Sequence, residues 1–129
     1  IGLYRIERNE RLKVGDFVLV RPEEELAKLI AERGYLPENI PLLKRVSALP
    51  GDEICRESQA IFINNVRVAD ALIFDSLGRI MPSWSGCFTL ESDESFLLND
   101  PENSLDGRYF GATEVTDVIG VARPVWVRR

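Results

Sequence analysis

The sequence contains no histidine. That absence excludes a Ser-His-Asp triad and any imidazole metal site within the chain. Proton transfer near neutral pH must then use a perturbed Lys, Asp, Glu or Cys. Cysteine is scarce as well: only Cys55 and Cys87 occur, and neither belongs to a C-x-x-C pair. Two cysteines alone make no convincing metal site, so no metal and no cofactor is expected. They fit either two free buried thiols or one disulfide. An extracytoplasmic location favours the disulfide, and closing such a loop contributes about 3–4 kcal/mol. No long apolar run is present, so nothing here reads as a membrane span, and there is no signal-peptide pattern. A basic stripe with interleaved aromatics is missing too. With a formal net charge of -5, nucleic acid is not an expected partner.

What is present suffices for one domain. A chain of 129 residues, 45% of them hydrophobic, can bury a sizeable core. Its organising stretch runs from Leu42 to Asp52. Leucine, valine and serine carry a strand, and Pro50-Gly51-Asp52 turns it. Strand side chains alternate, so Leu42, Lys44 and Val46 share one face while Leu43, Arg45 and Ser47 share the other. If the first face points inward, Lys44 lies among apolar neighbours. Burial disfavours the charged form of an amine and lowers its pKa, which makes a general base available. The bland alternative is a solvated Lys-Arg pair on a half-buried strand.

The remaining chain reads as strands around one helix. Gly15-Asp16 is a turn into the apolar strand Phe17–Val20. Residues Arg21 to Gly34 predict the helix, with Pro22 at its first position, Glu23, Glu24 and Glu25 at the positive end of its dipole, and Leu26, Leu29 and Ile30 as an apolar stripe. Gly34 suits a left-handed cap. Glu53–Arg56 is a strand, and Ala60–Ile63 with Val66–Val68 form a hairpin about Asn64-Asn65. Residues 69–85 read as a long irregular connection. Short strands follow at Cys87–Leu90, Ser95–Leu98, Val118–Ala122 and Val125–Val127, with a polar loop from Asn99 to Gly111. The expected fold is mainly β, a single domain of curved or partly closed antiparallel sheets with one short helix.

Two blocks carry a resemblance. Lys44-Arg45-Val46 followed by Leu49-Pro50-Gly51-Asp52 resembles the lysine-bearing motif of the type I signal peptidases, serine proteases that use a Ser-Lys dyad. Asn103, Ser104, Asp106, Arg108, Tyr109, Phe110 and Gly111 resemble their other signature block. The departures are Gly107 for a common serine, and Asn99-Asp100-Pro101 for a Gly-Asp-Asn opening. Gly2-Leu3-Tyr4 resembles the tail of the motif that follows the nucleophile in the conjugative-transfer, TraF-type branch. The resemblance runs from Gly2 to about Trp126.

It implies the fold shared by signal peptidases and LexA-like repressors, and a division of labour. Lys44 is the implied general base, its pKa brought from about 10.4 toward 8 at a cost of roughly 2.7 kcal/mol. The Ser104 hydroxyl orients the amine, and Asp106 and Arg108 brace the site as an ion pair. The nucleophilic serine is expected about three residues before Ile1. Residues 1–129 are thus expected to be one signal-peptidase-like catalytic domain, inactive as it stands, with the nucleophile and an N-terminal membrane segment absent. An extended peptide of a pilin-like precursor is expected to pair with the edge at Pro41, Leu42 and Leu43. The implied location is the periplasmic face of the bacterial inner membrane, where Cys55 and Cys87 would be joined. Ser47, Ser83 and Ser85 have no motif context as nucleophiles. Two other readings compete: a non-catalytic module that binds a secretion or pilus component, and a LexA-type autoproteolytic domain, which would lack the Asn103–Gly111 block.

Overall fold

The computed structural model describes residues 3–8, 11–35, 41–99 and 105–125. Among these described residues, ten strands form two antiparallel sheets. The first sheet takes β1 (Leu3–Glu7), β2 (Phe17–Val20), β3 (Leu42–Ala48), β8 (Glu94–Leu98), β9 (Thr113–Glu114) and β10 (Val118–Val125), in the order β1-β10-β2-β3-β8-β9. The second takes β4 (Glu53–Glu57), β5 (Ala60–Ile63), β6 (Val66–Asp70) and β7 (Gly86–Thr89), in the order β6-β5-β4-β7. Among the described residues neither sheet closes into a barrel. The Pro50-Gly51 turn carries the chain from β3 to β4, and so from one sheet to the other. Asp52 closes it by accepting the Leu49 N–H at 2.9 Å.

Alternation on β3 is as the sequence predicts: Lys44 and Val46 are buried, whereas Leu43 and Arg45 are exposed. Arg45 spreads its guanidinium over Phe17, its cross-strand partner, 4.8 Å from the ring centroid. Val18, Val20, Val46, Leu97 and Val121 form one apolar cluster in the first sheet. Ala48, Ile54, Ile61, Leu90, Phe96 and Leu98 form a second, drawn from both sheets. A third joins Ala71, Met81 and Tyr109 beneath the connection between β6 and β7.

Helix α1 spans Glu24–Arg33 and starts later than the sequence suggests. The Arg21 N–H is held by the Asp117 carbonyl at 2.8 Å, so Pro22 precedes the N-cap Glu23 and does not open the first turn. Gly34 caps the other end at φ 67°, as expected. Asn64 and Asn65 both adopt positive φ at the hairpin tip. A four-residue helical turn, α2 (Gly107–Phe110), was not anticipated. The sequence of the expected last strand, Val125–Val127, merges into β10 at Val125, and residues 126–129 lie outside the described residues. Among the described residues no helix is long and apolar enough to cross a membrane.

Cys55 and Cys87 stand directly opposite each other on β4 and β7 and are joined by a disulfide. Glu53 lies beside them, but both sulfurs are spent on each other, which leaves no thiolate to hold a metal ion. The bond ties edge strand β7 to the sheet. Replacing both cysteines by serine is expected to cost about 3 kcal/mol in urea unfolding. An unchanged midpoint would show that β7 is held by its ladder alone.

Candidate active site

Lys44 sits in the middle of the first sheet, opposite Val18 on β2. Only 7% of it is exposed. It lines a small cavity of about 40 Å³ together with Val20, Leu42, Leu97, Leu105 and Asp106, and it faces a larger groove on its other side. Burial pushes its ammonium pKa down. Asp106 pulls it back up, and Arg108 lowers it further.

Beneath the amine lies a polar centre built by the second motif. Arg108 Nε donates to Asp106 Oδ1 at 2.9 Å, and both side chains are almost wholly buried. Asp106 caps α2 by accepting the Arg108 N–H at 3.0 Å, and its Oδ2 accepts the Asn99 N–H at 2.8 Å. The remaining guanidinium nitrogens donate to the Asp70 and Asn99 carbonyls. Burial pushes the Asp106 carboxyl up, against the Asn99 N–H and the guanidinium, which favour the carboxylate. Such a pair stabilises little by itself, but removing one partner strands the other charge in the core.

This centre is clamped from the second sheet. Arg56 Nη1 donates to the Arg108 carbonyl at 2.7 Å, and Trp84 Nε1 donates to the same carbonyl at 3.1 Å. Tyr109 accepts the Leu72 N–H at 2.9 Å. Gly107 has no room for a side chain: a Cβ there would stand 2.7 Å from the Phe96 ring and 2.9 Å from the Leu97 carbonyl. That crowding accounts for glycine at the position where the motif commonly has serine.

β3 is only partly paired at Lys44. Its ladder with β8 starts at Arg45, which faces Leu98, so among the described residues no strand pairs with Leu42, Leu43 and Lys44 on that side. Asn99 Nδ2 reaches the Leu43 carbonyl at 3.2 Å. Pro41 and Leu43 are exposed, and Leu42 is half-buried. A groove of about 430 Å³ runs along this edge. An unpaired strand edge beside a groove and a dry amine can hold an extended chain and accept a proton near it.

The structure thus brings Lys44, Asp106, Arg108, Leu42 and Leu43 into one region. Ser104 lies outside the described residues, as do Ile1 and Gly2 of the N-terminal motif. Ser47 faces a different groove, alongside Arg45, Asp70 and Arg108, and Ser83 and Ser85 are exposed. Sequence reasoning missed Arg56, Trp84 and Asn99. Arg56 had a signal: strand alternation sets it on the face of Ile54, an inward position where an arginine needs a reason.

A lysine buried charged is a destabilising group. With its folded pKa below its unfolded value of 10.5, the unfolded chain binds more protons between the two, so stability rises with pH through that window. Lys44→Met is expected to be more stable than wild type at neutral pH and to lose this alkaline gain. Urea unfolding of both proteins across the pH range checks it. Parallel pH curves would contradict the burial cost.

The sequence matches the family described as "Signal peptidase, peptidase S26" over residues 1–127. It is 33% identical over 139 residues to a conjugal transfer protein TraF of Agrobacterium fabrum, covering 98% of this chain and 76% of that one. It is 30% identical over 136 residues to a plasmid transfer protein TraF of Escherichia coli, covering 97% and 76%. Among solved structures, a signal peptidase I from Enterococcus faecalis aligns with a TM-score of 0.47 and 18% identity, over 87% of this chain and 97% of that one. With the lysine strand and the Asp106–Arg108 centre in one place, the matches along nearly the whole chain are decisive: it belongs to the signal peptidase family, in its TraF-like branch.

Proposed function

We propose that this chain is the catalytic part of a membrane-anchored Ser-Lys endopeptidase that processes exported precursor proteins of a conjugation or type IV secretion apparatus. The observation that carries the reading is the burial of the Lys44 amine beside an unpaired strand edge. In this reading a serine upstream of Ile1 attacks the scissile carbonyl. Neutral Lys44 takes the hydroxyl proton and later delivers it to the leaving amine. The Ser104 hydroxyl orients the amine. Asp106 and Arg108 keep the loop behind Lys44 in place and do not exchange protons with substrate.

The substrate is an extended peptide, pilin-like in type. It adds to β3 along Leu42 and Leu43, with Pro41 at the entry, and exchanges backbone hydrogen bonds with groups that lack a strand partner. The work belongs to the periplasmic face of the inner membrane, reached through an N-terminal anchor. The Cys55–Cys87 bond suits that oxidising compartment. The two TraF relatives carry transfer functions in their names, which supports conjugation as the setting.

In a chain that carries the upstream serine, Lys44→Ala is expected to abolish cleavage of a pilin precursor while the domain stays folded, read by cleavage assay and circular dichroism. Retained turnover refutes the base assignment and leaves a binding module as the better description. Ser104→Ala is expected to lower the rate by a smaller factor, roughly 10²-fold or less, and to move the acidic limb of the pH–rate profile, which reports the deprotonation of Lys44, to higher pH. An unmoved profile denies Ser104 its orienting role.

A further inference from the structure

The groove beside Lys44 has a second wall that neither motif supplies. It is the 72–81 segment between β6 and β7, which contributes Leu72, Asp75, Ser76 and Met81 to the lining, opposite Leu42 and Leu43. The ends of this segment are anchored in the core by Ala71 and Met81, which cluster with Tyr109. Its middle is not. Ile73, Phe74, Leu77 and Ile80 are 51%, 54%, 74% and 68% exposed, so apolar burial does not hold the segment against the groove.

Hydrogen bonds do, most of them gathered at one carboxylate, with Arg79 Nη2 also donating to the Arg33 carbonyl at 3.3 Å and the Met81 N–H to the Ile73 carbonyl at 2.8 Å. Asp75 Oδ1 accepts the Leu77 and Arg79 N–H groups at 3.0 and 2.8 Å, which folds the segment on itself. Asp75 Oδ2 accepts the Tyr35 hydroxyl at 2.6 Å and Arg79 Nε at 2.7 Å, with Arg33 Nη1 at 3.7 Å. Arg33 is the last residue of α1 and Tyr35 follows its Gly34 cap, so the same carboxylate ties the segment across to the helix end. Burial alone would raise the Asp75 carboxyl. The Tyr35 hydroxyl and the Arg79 and Leu77 donors overcome it and hold the group well below the usual carboxylate range.

We propose that the 72–81 segment, fastened by the Tyr35–Asp75–Arg79 knot, is the specificity-determining wall of the peptide groove. It takes an apolar side chain of the extended substrate against Leu72 and Met81, and offers the Ser76 hydroxyl to a polar one. Because side chains of an extended peptide alternate, β3 holds the backbone and this wall selects among the residues that point toward it. The inference rests on the peptidase reading and deepens it. Asp75 and Tyr35 touch no reacting atom. They position the wall, so their loss weakens substrate binding and leaves proton transfer at Lys44 untouched.

The test uses the chain with its upstream serine and a pilin-like precursor peptide. Asp75→Asn and Tyr35→Phe are expected to raise KM about 5- to 10-fold with kcat and the pH–rate profile unchanged, the pattern of lost uniform binding. Arg67→Gln, on exposed β6, is the control and keeps the wild-type KM. Should Asp75→Asn fail to fold, Tyr35→Phe and a crosslinking arm decide. There, photoreactive residues at position 43 or 76 are placed in the inactive Lys44→Ala background. Capture of the peptide from both positions supports the wall. Capture from 43 and not from 76, or an unchanged KM in both variants, overturns it and leaves the peptidase reading standing. Capture from neither overturns both.

Discussion

Keeping one amine out of water sets the terms for the rest of this molecule. Lys44 lies on a central strand among valines and leucines, and a charge there is costly. The fold accepts that cost by surrounding the lysine with hydrogen-bonded parts. β2 pairs with its strand on one side, and α2, capped by Asp106, lines the small cavity it shares with Lys44. Asp106 and Arg108 are close enough to act on the amine with opposite signs, so their placement tunes it. Their own placement depends in turn on Arg56 and Trp84 reaching over from the second sheet. The two sheets therefore meet at the site through polar ties as well as through the apolar cluster they share.

This arrangement explains why the second sheet exists beside the first. β4, held to β7 by the disulfide, carries Arg56, and the connection before β7 carries Trp84. Both donate to the Arg108 carbonyl. The connection from β6 to β7 also supplies the far wall of the groove. An irregular stretch thus clamps the polar centre with one part and bounds the groove beside Lys44 with another. Its middle is apolar but exposed, and hydrogen bonds centred on Asp75 help to position it, a device that fixes a loop without enlarging the core.

Much of this was legible in the sequence, because the informative patterns were local. The alternation from Leu42 to Val46 gave the inward face of Lys44, and the Asn64-Asn65 tip and the Gly34 cap followed from the backbone geometry those residues tolerate. Asp106 and Arg108 were readable as a pair through the motif they resemble, not from their spacing. The helical turn at Gly107–Phe110 was not, since four residues show no periodicity and Asp106 acts as a cap only once its partners are in place. The start of α1 was misplaced because the tether between Arg21 and Asp117 joins distant parts of the chain. The Asp75 knot was invisible for the same reason. Tyr35 and Asp75 are 40 positions apart, and nothing local marks either as a partner of the other.

The account stands or falls on the charge state of a single side chain. A carbon-detected NMR titration of the protein, with lysine labelled at Cε and the Lys44 signal assigned by its loss in Lys44→Met, reads that state directly. The account predicts a Lys44 midpoint below the ordinary lysine value of 10.5, and an upward shift of that midpoint when the fold is opened by urea. A Lys44 resonance that titrates at the ordinary value in the folded protein would contradict it.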